Sequence, residues 1–188
     1  MRTIPGPIRT VARVAVATFP AVSVPVGGHT VSLPVVMTAI AIAQSHGDAT
    51  IGGDRLGTCE YCTRPACGVY TSWGLWQIHL GAHIAYLEQV THSTDPCTWA
   101  QWLQNPARNA QAAWAILAPD GQIPASAVLI ARLNGAWGGQ AGNWQDYVST
   151  SQLTLAAAAV AAVRSATTAA FPSAAWIGVG VGLVALGA

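Results

Sequence analysis

Residues 32–48 read SLPVVMTAIAIAQSHGD, and the fold turns on how this stretch is interpreted. Ser32 suits a helix N-cap, Pro34 suits a first turn, and Val36, Met37, Ile40 and Gln44 recur at helical spacing. Gly47 ends the pattern. The spacing predicts a helix over 32–45, with Gln44 continuing the Val36–Ile40 stripe into the last turn. A carboxylic acid in that place would be partly desolvated, and its pKa would rise. Such an environment keeps a general acid protonated near neutral pH. An amide has the same shape but no proton to deliver.

Working outward, residues 46–72 read as a loop rich in turn formers, and 73–90 as an irregular lead-in followed by a second helix. A short helix is expected over 98–104, with Trp99, Trp102 and Leu103 on one side. Asn105-Pro106 is a cap-then-proline start for a helix through Trp114 to Leu117. After the Pro119-Asp120-Gly121 turn, a further helix over 126–133 closes at Asn134-Gly135. Strand signals are scarce, so the chain reads as mostly α. Residues 1–31 read as an irregular N-terminal arm. In it Arg2, Arg9 and Arg13 precede the apolar run VAVATF, the charge layout of a weak signal segment.

From residue 151 onward the composition changes, and Arg164 is the one charge left. About 20 apolar residues span a bilayer as a helix. Trp176 suits an interface, and Gly178 with Gly182 forms a GxxxG. The expected organisation is an arm (1–31), a helical domain (32–150) and an Ala/Gly-rich apolar tail (151–188) that serves as a candidate transmembrane helix.

Composition narrows the function classes. The 188 residues are 52% apolar and only 8% charged, against about 25% charged in a typical soluble domain. That excludes a charge-rich disordered chain. Eight Arg, no Lys and seven acids leave a net charge of +1, so there is no footprint for nucleic acid. Mean hydropathy is +0.41, and much of the excess lies after residue 151. Cys59, Cys62, Cys67 and Cys97 permit two disulfides, a zinc site begun by the Cys59/Cys62 CxxC, or buried free thiols. His79 and His83 are four apart, and His46 lies beside the Gln44 position, but a metal pair needs a third ligand and no HExxH is present, so solvated or core histidines are expected. Neither a metal nor a cofactor is expected.

Three short blocks carry the chemistry. AIAIAQSHGD (39–48) is followed by TSWGLWQI (71–78), and ARLNGAWGG (131–139) comes after the helix NPARNAQAAWAIL (105–117). In the second block Gly74 permits close approach of backbone. Trp73 offers a face for a sugar ring, and Gln77 offers donors and acceptors to hydroxyl or acetamido groups. Trp76 reads as core. Asn134 suits either an acetamido contact or a helix C-cap. Eight Trp against two Phe also suit a carbohydrate cleft.

Together, over residues 33–148, these blocks resemble the lysozyme-like superfamily, in its soluble lytic transglycosylase and goose-type lysozyme branch. The resemblance implies a helical lysozyme-like fold and a substrate of peptidoglycan glycan strands, cleaved at the MurNAc–GlcNAc β-1,4 bond. It implies that the catalytic Glu position is Gln44, with Ser45, Trp73, Gln77 and Asn134 toward substrate. Transglycosylases use the sugar's own 6-hydroxyl, so one carboxylate suffices; goose-type enzymes use water and extra acids from the following loop. Two departures stand out: Gln44 replaces the acid, and Leu133 replaces a Tyr. Loss of a general acid costs roughly 10²–10⁴-fold.

Three accounts of Gln44 follow. The domain is a non-catalytic glycan-binding module; or Asp48, Asp54 or Glu60 supplies the proton; or the Gln is an engineered or sequencing change that traps substrate. A membrane-tethered structural or assembly protein on the same scaffold is the rival from another class. The implied location is extracytoplasmic, whether secreted, anchored or virion-associated, although Arg164 before the tail weakly favours the cytoplasmic side.

Overall fold

The computed structural model describes residues 3–57, 65–139 and 142–170. Helix α1 is Gly6–Thr18, and helix α2, Leu33–Ser45, is the element on which the others are hung. Ser32 stands at the α2 N-cap with Pro34 in the first turn, as the spacing predicts. The helix ends at His46, whose φ of 54° is left-handed and whose N–H reaches the Ile42 carbonyl at 3.0 Å. The stripe itself needs correction, because every residue from Leu33 to Ile42 is buried. A helix that is apolar all round belongs in the middle of a core. Ala43 and Gln44 are its first half-exposed side chains.

Two helices cover α2. The lead segment is not irregular: it is α1, which packs on α2 through Ile8, Val11, Ala12 and Ala15, with Phe19 buried just beyond its end. Those five recur at helical spacing, while Arg9 and Arg13 lie exposed. The other cover is α7, Thr150–Ala170, from the stretch set apart as a tail. Its buried Ala156, Ala159 and Val160 let the backbones of α7, α2 and α1 come close together. No helix among the described residues is long and apolar enough to cross a membrane. Trp176, Gly178 and Gly182 lie outside the described residues, as do Cys59, Glu60 and Cys62.

Between α1 and α2 lies a hairpin of β1 (Ser23–Val26) and β2 (His29–Ser32), turned by Gly27 and Gly28 at φ 53° and 81°. A second antiparallel sheet holds β3 (Gly52–Arg55), β4 (Tyr70–Trp73) and β5 (Ile78–His79) in that order. Its register sets Gly53 opposite Ser72, and Ser72 opposite His79. The sequence reading expected only loop over 46–72. Strands of four residues or fewer, one of them GGDR, carry no alternation to read.

The remaining helices are α3 (Ile84–Thr91), α4 (Pro96–Leu103), α5 (Pro106–Leu117) and α6 (Ser126–Trp137). Asp95 caps α4 by accepting the amides of Cys97 and Thr98, and Asn105 caps α5 by accepting those of Ala107 and Arg108. Helix α6 runs past Asn134-Gly135 to Gly138. Burying Trp137 outweighs the roughly 1 kcal/mol that Gly135 costs inside a helix. Of the cysteine readings left open, a disulfide holds for Cys67 and Cys97, which tie the start of β4 to the first turn of α4. Closing a loop of 30 residues contributes about 3–4 kcal/mol through the unfolded chain.

Candidate functional site

Trp76 anchors the site. It is fully buried, donates from Nε1 to the Met37 carbonyl of α2 at 2.9 Å, and accepts from Trp137 Nε1 of α6 at 2.8 Å. Phe19 meets its ring edge-on at 5.4 Å. Met37 and Phe19 thus fix the indole and Trp137 fixes the Trp76 backbone carbonyl, and Trp76 is core, as expected.

Asn109 of α5 completes the anchor. It is fully buried, and its Oδ1 accepts the Trp76 amide at 2.8 Å while Nδ2 donates to the Trp73 carbonyl at 3.0 Å. Gly74, at φ 82°, lies against it, and a Cβ there would strike the Asn109 amide. This explains the second block's glycine and identifies a residue that sequence reading passed over. The available signal was an Asn within the buried stripe Asn109, Ala110, Ala113, Leu117.

The turn delivers Gln77 to the sheet at a left-handed φ of 50°. Its Nε2 gives hydrogens to the carbonyls of Ile51 at 3.1 Å and Gly74 at 2.8 Å. The Oε1 lies beside Gly53, where a Cβ would collide with it. With both Nε2 hydrogens used, Gln77 has only the acceptor Oε1 left to offer.

Asp54 follows directly, also left-handed at φ 51° and exposed. His46 and His92 adopt positive φ as helix C-caps, whereas Asp54 and Gln77 cap nothing. Strand alternation would aim Asp54 away from Ser72. The positive φ turns it back, and the buried Ser72 hydroxyl donates to its Oδ2 at 2.5 Å. Such backbone strain is stored where surrounding structure enforces it, often at functional sites. Thr71 supports it by donating from Oγ1 to the Asp54 carbonyl at 2.7 Å. Trp73 is half-buried, edge-on to Tyr70 at 5.7 Å, and its Nε1 has no hydrogen-bond partner among the described residues.

The structure thus brings Asp54, Trp73 and Gln77 together on one small sheet. Gln44 stands apart from them in chain, half-buried in the last turn of α2, and the 46–51 turn links the two. Ser45 does not face a ligand: it is fully buried, donating to the Ala41 carbonyl at 2.8 Å and accepting the Gly47 amide at 3.3 Å. Asp48 is engaged by its own turn. The Thr50 amide and then the Thr50 hydroxyl, at 2.8 and 2.7 Å, hold its carboxyl below the usual aspartate range. A group held ionised in this way is a poor proton donor. Asn134 is half-buried in α6, where Oδ1 accepts the Trp144 amide at 3.2 Å. That leaves its Nδ2 for a ligand and rules out the C-cap role, which Gly138 takes.

Gln77 also borders a cavity of about 370 Å³ whose far wall is the 135–137 stretch of the third block. Chemically the sheet presents two acceptors, the Asp54 carboxylate and Gln77 Oε1, and it also carries the half-buried Trp73. A polyhydroxylated ring supplies the matching donors and an apolar face.

Residues 21–127, more than half of the chain, match the family described as a lysozyme-like domain, and the chain belongs to that family. Membership carries a peptidoglycan-related activity at the level of the family, and with the disulfide it fits a protein working outside the cytoplasm. No curated protein and no solved structure matches the chain.

Proposed function

We propose that the chain binds peptidoglycan glycan strands across the sheet and the 370 Å³ cavity, with Gln44 at the position of the general acid. The observation that carries this reading is the strained pair Asp54 and Gln77, on the same small sheet as Trp73 within a lysozyme-like domain. Gln44 offers hydrogen bonds to a glycosidic oxygen but no proton, so the chain holds glycan and cleaves it slowly or not at all. The goose-type branch, rather than the transglycosylase branch, is favoured by the Asp54 carboxylate on the sheet, which stands in the region where goose-type enzymes place extra acids. The functional unit runs over 32–150, with α1 and α7 as its buttress, and its partner is the cell wall.

A second reading has one observation behind it: Asp54 is an exposed carboxylate held in place by Ser72. In that reading Asp54 orients a water molecule, and Glu60, outside the described residues, remains a candidate acid. Turbidity of purified cell walls separates the two. Under the first, the native chain sediments with walls without clearing them, and Gln44→Glu raises clearing by roughly 10²-fold or more. Clearing by the native chain that Gln44→Glu leaves unchanged and Asp54→Asn abolishes would establish the second reading and overturn the first.

A further inference from the structure

The far end of the 370 Å³ cavity has a character that neutral sugar does not require. His79, His83 and Arg132 line it together with Ile78, Ile116 and Trp137. A second cavity of about 350 Å³ shares Ile78, His83 and Ile116 and adds Tyr86 and Gln89, so His83 stands between two lobes. No acidic side chain lines either lobe among the described residues.

Each of these three side chains is built in. The Arg132 guanidinium is half-buried on α6 and anchored by a bond from Nη1 to the Leu117 carbonyl at 2.6 Å, which leaves its other N–H groups to the cavity. His79 accepts the Ala82 amide on Nδ1 at 3.2 Å, so its proton sits on Nε2 as a donor. His83 is half-buried and has no hydrogen-bond partner among the described residues for its ring. The groups around it are His79 and Arg132 across the larger lobe and Tyr86 across the smaller. Beyond Tyr86, Arg108 sits over Trp102 at 5.9 Å.

We propose that this two-lobed groove binds a carboxylate carried on a short apolar acyl or peptide chain, attached to the glycan held on the sheet. The inference rests on the glycan reading above. Arg132 gives a fork of donors suited to a carboxylate, His79 and His83 add N–H groups, and the Ile78 and Ile116 walls take the small apolar side chain. Arg132 is the formal charge of the groove, and no acidic side chain opposes it among the described residues, which selects an anion over a neutral sugar substituent. Burial, and next the neighbouring His79, hold His83 below the usual histidine range. His83 therefore gains its charge only in acid, and an anion in the groove favours the charged form. Binding strengthens as pH falls through that region.

Calorimetry with three probes tests this on the full chain at pH 7.5 and 5.5. The probes are a GlcNAc oligomer without carboxylates, a disaccharide–dipeptide with free carboxylates, and the free alanyl-glutamate dipeptide. The expected result is binding of the oligomer, at least tenfold tighter binding of the disaccharide–dipeptide, and a wider gap at pH 5.5. Arg132→Gln should abolish the gap, and His83→Leu, which keeps the apolar volume, should abolish its pH dependence. Oligomer binding by both variants shows that they are folded. Equal affinity for the two glycans, unchanged by Arg132→Gln, overturns the carboxylate site and leaves the glycan reading intact. Binding of the free dipeptide alone, lost in Arg132→Gln, supports the anion site with a free peptide as its source and overturns the glycan reading. No binding of any probe overturns both.

Discussion

At the residue scale, buried polar side chains decide the geometry of the site. Asn109 is the clearest, since one amide satisfies the Trp76 N–H and the Trp73 carbonyl. Removing it leaves two buried backbone groups unpaired, each costing about 1–3 kcal/mol. Asn109→Ala should therefore destabilise the chain by about 2–4 kcal/mol, read as a lower midpoint in urea unfolding at unchanged slope. An effect under about 0.5 kcal/mol would mean that the turn holds itself. The sequence made Gln44, Trp73 and Gln77 visible because short blocks carried them. It left Asn109 and Ser72 unnoticed because their work is hydrogen bonding to segments distant in the chain. For Ser45, too, only packing showed its hydroxyl to be internally bonded.

At the scale of elements, caps were legible and tertiary contacts were not. Asn105-Pro106 and Ser32 with Pro34 marked α5 and α2 to within a residue, because an Asn cap, which accepts the Ala107 and Arg108 amides, and a first-turn proline act locally; Ser32 holds the α2 N-cap position without a side-chain cap bond. Helix α1 also had a stripe to read, Ile8, Val11, Ala12, Ala15 and Phe19, but Pro5, Pro7 and Pro20 around that stripe and the arginines suited an irregular arm with the charge layout of a weak signal segment. The sheet β3-β4-β5 had no local signature. Small residues let α7 lie close to α2 and α1, and this gives a contrast within one helix. Ala159 is fully buried and Ala158 is exposed. Ala159→Leu should cost about 1–3 kcal/mol by overpacking, while Ala158→Leu stays within about 0.5 kcal/mol. Thermal melts of the two variants decide it, and equal midpoints would place α7 away from the core.

At the scale of the whole molecule, the Cys67–Cys97 bond joins the sheet to the helices across 30 residues. Replacing both with Ala should lower stability by about 3–4 kcal/mol, which in a chain of this size lowers Tm by roughly 6–16 °C. Scanning calorimetry of the double variant reads this directly. A Tm within about 2 °C of the parent would show that the unfolded chain is already constrained in that region.

What the sequence by itself determined is the set of local statements: a mostly helical chain, helices placed by caps and prolines, a Trp and Gln block around Gly74, and an amide in the last turn of α2. Period, capping and side-chain chemistry act over a few residues, so one string of letters suffices to read them. The tertiary structure alone decided that α2 is buried on all sides, that α1 and α7 enclose it, and that Asp54 turns back to meet Ser72. It also decided that His79, His83 and Arg132 share one cavity. Each of these depends on segments brought together by burial of apolar surface, and that energy belongs to the packed chain rather than to any stretch of it.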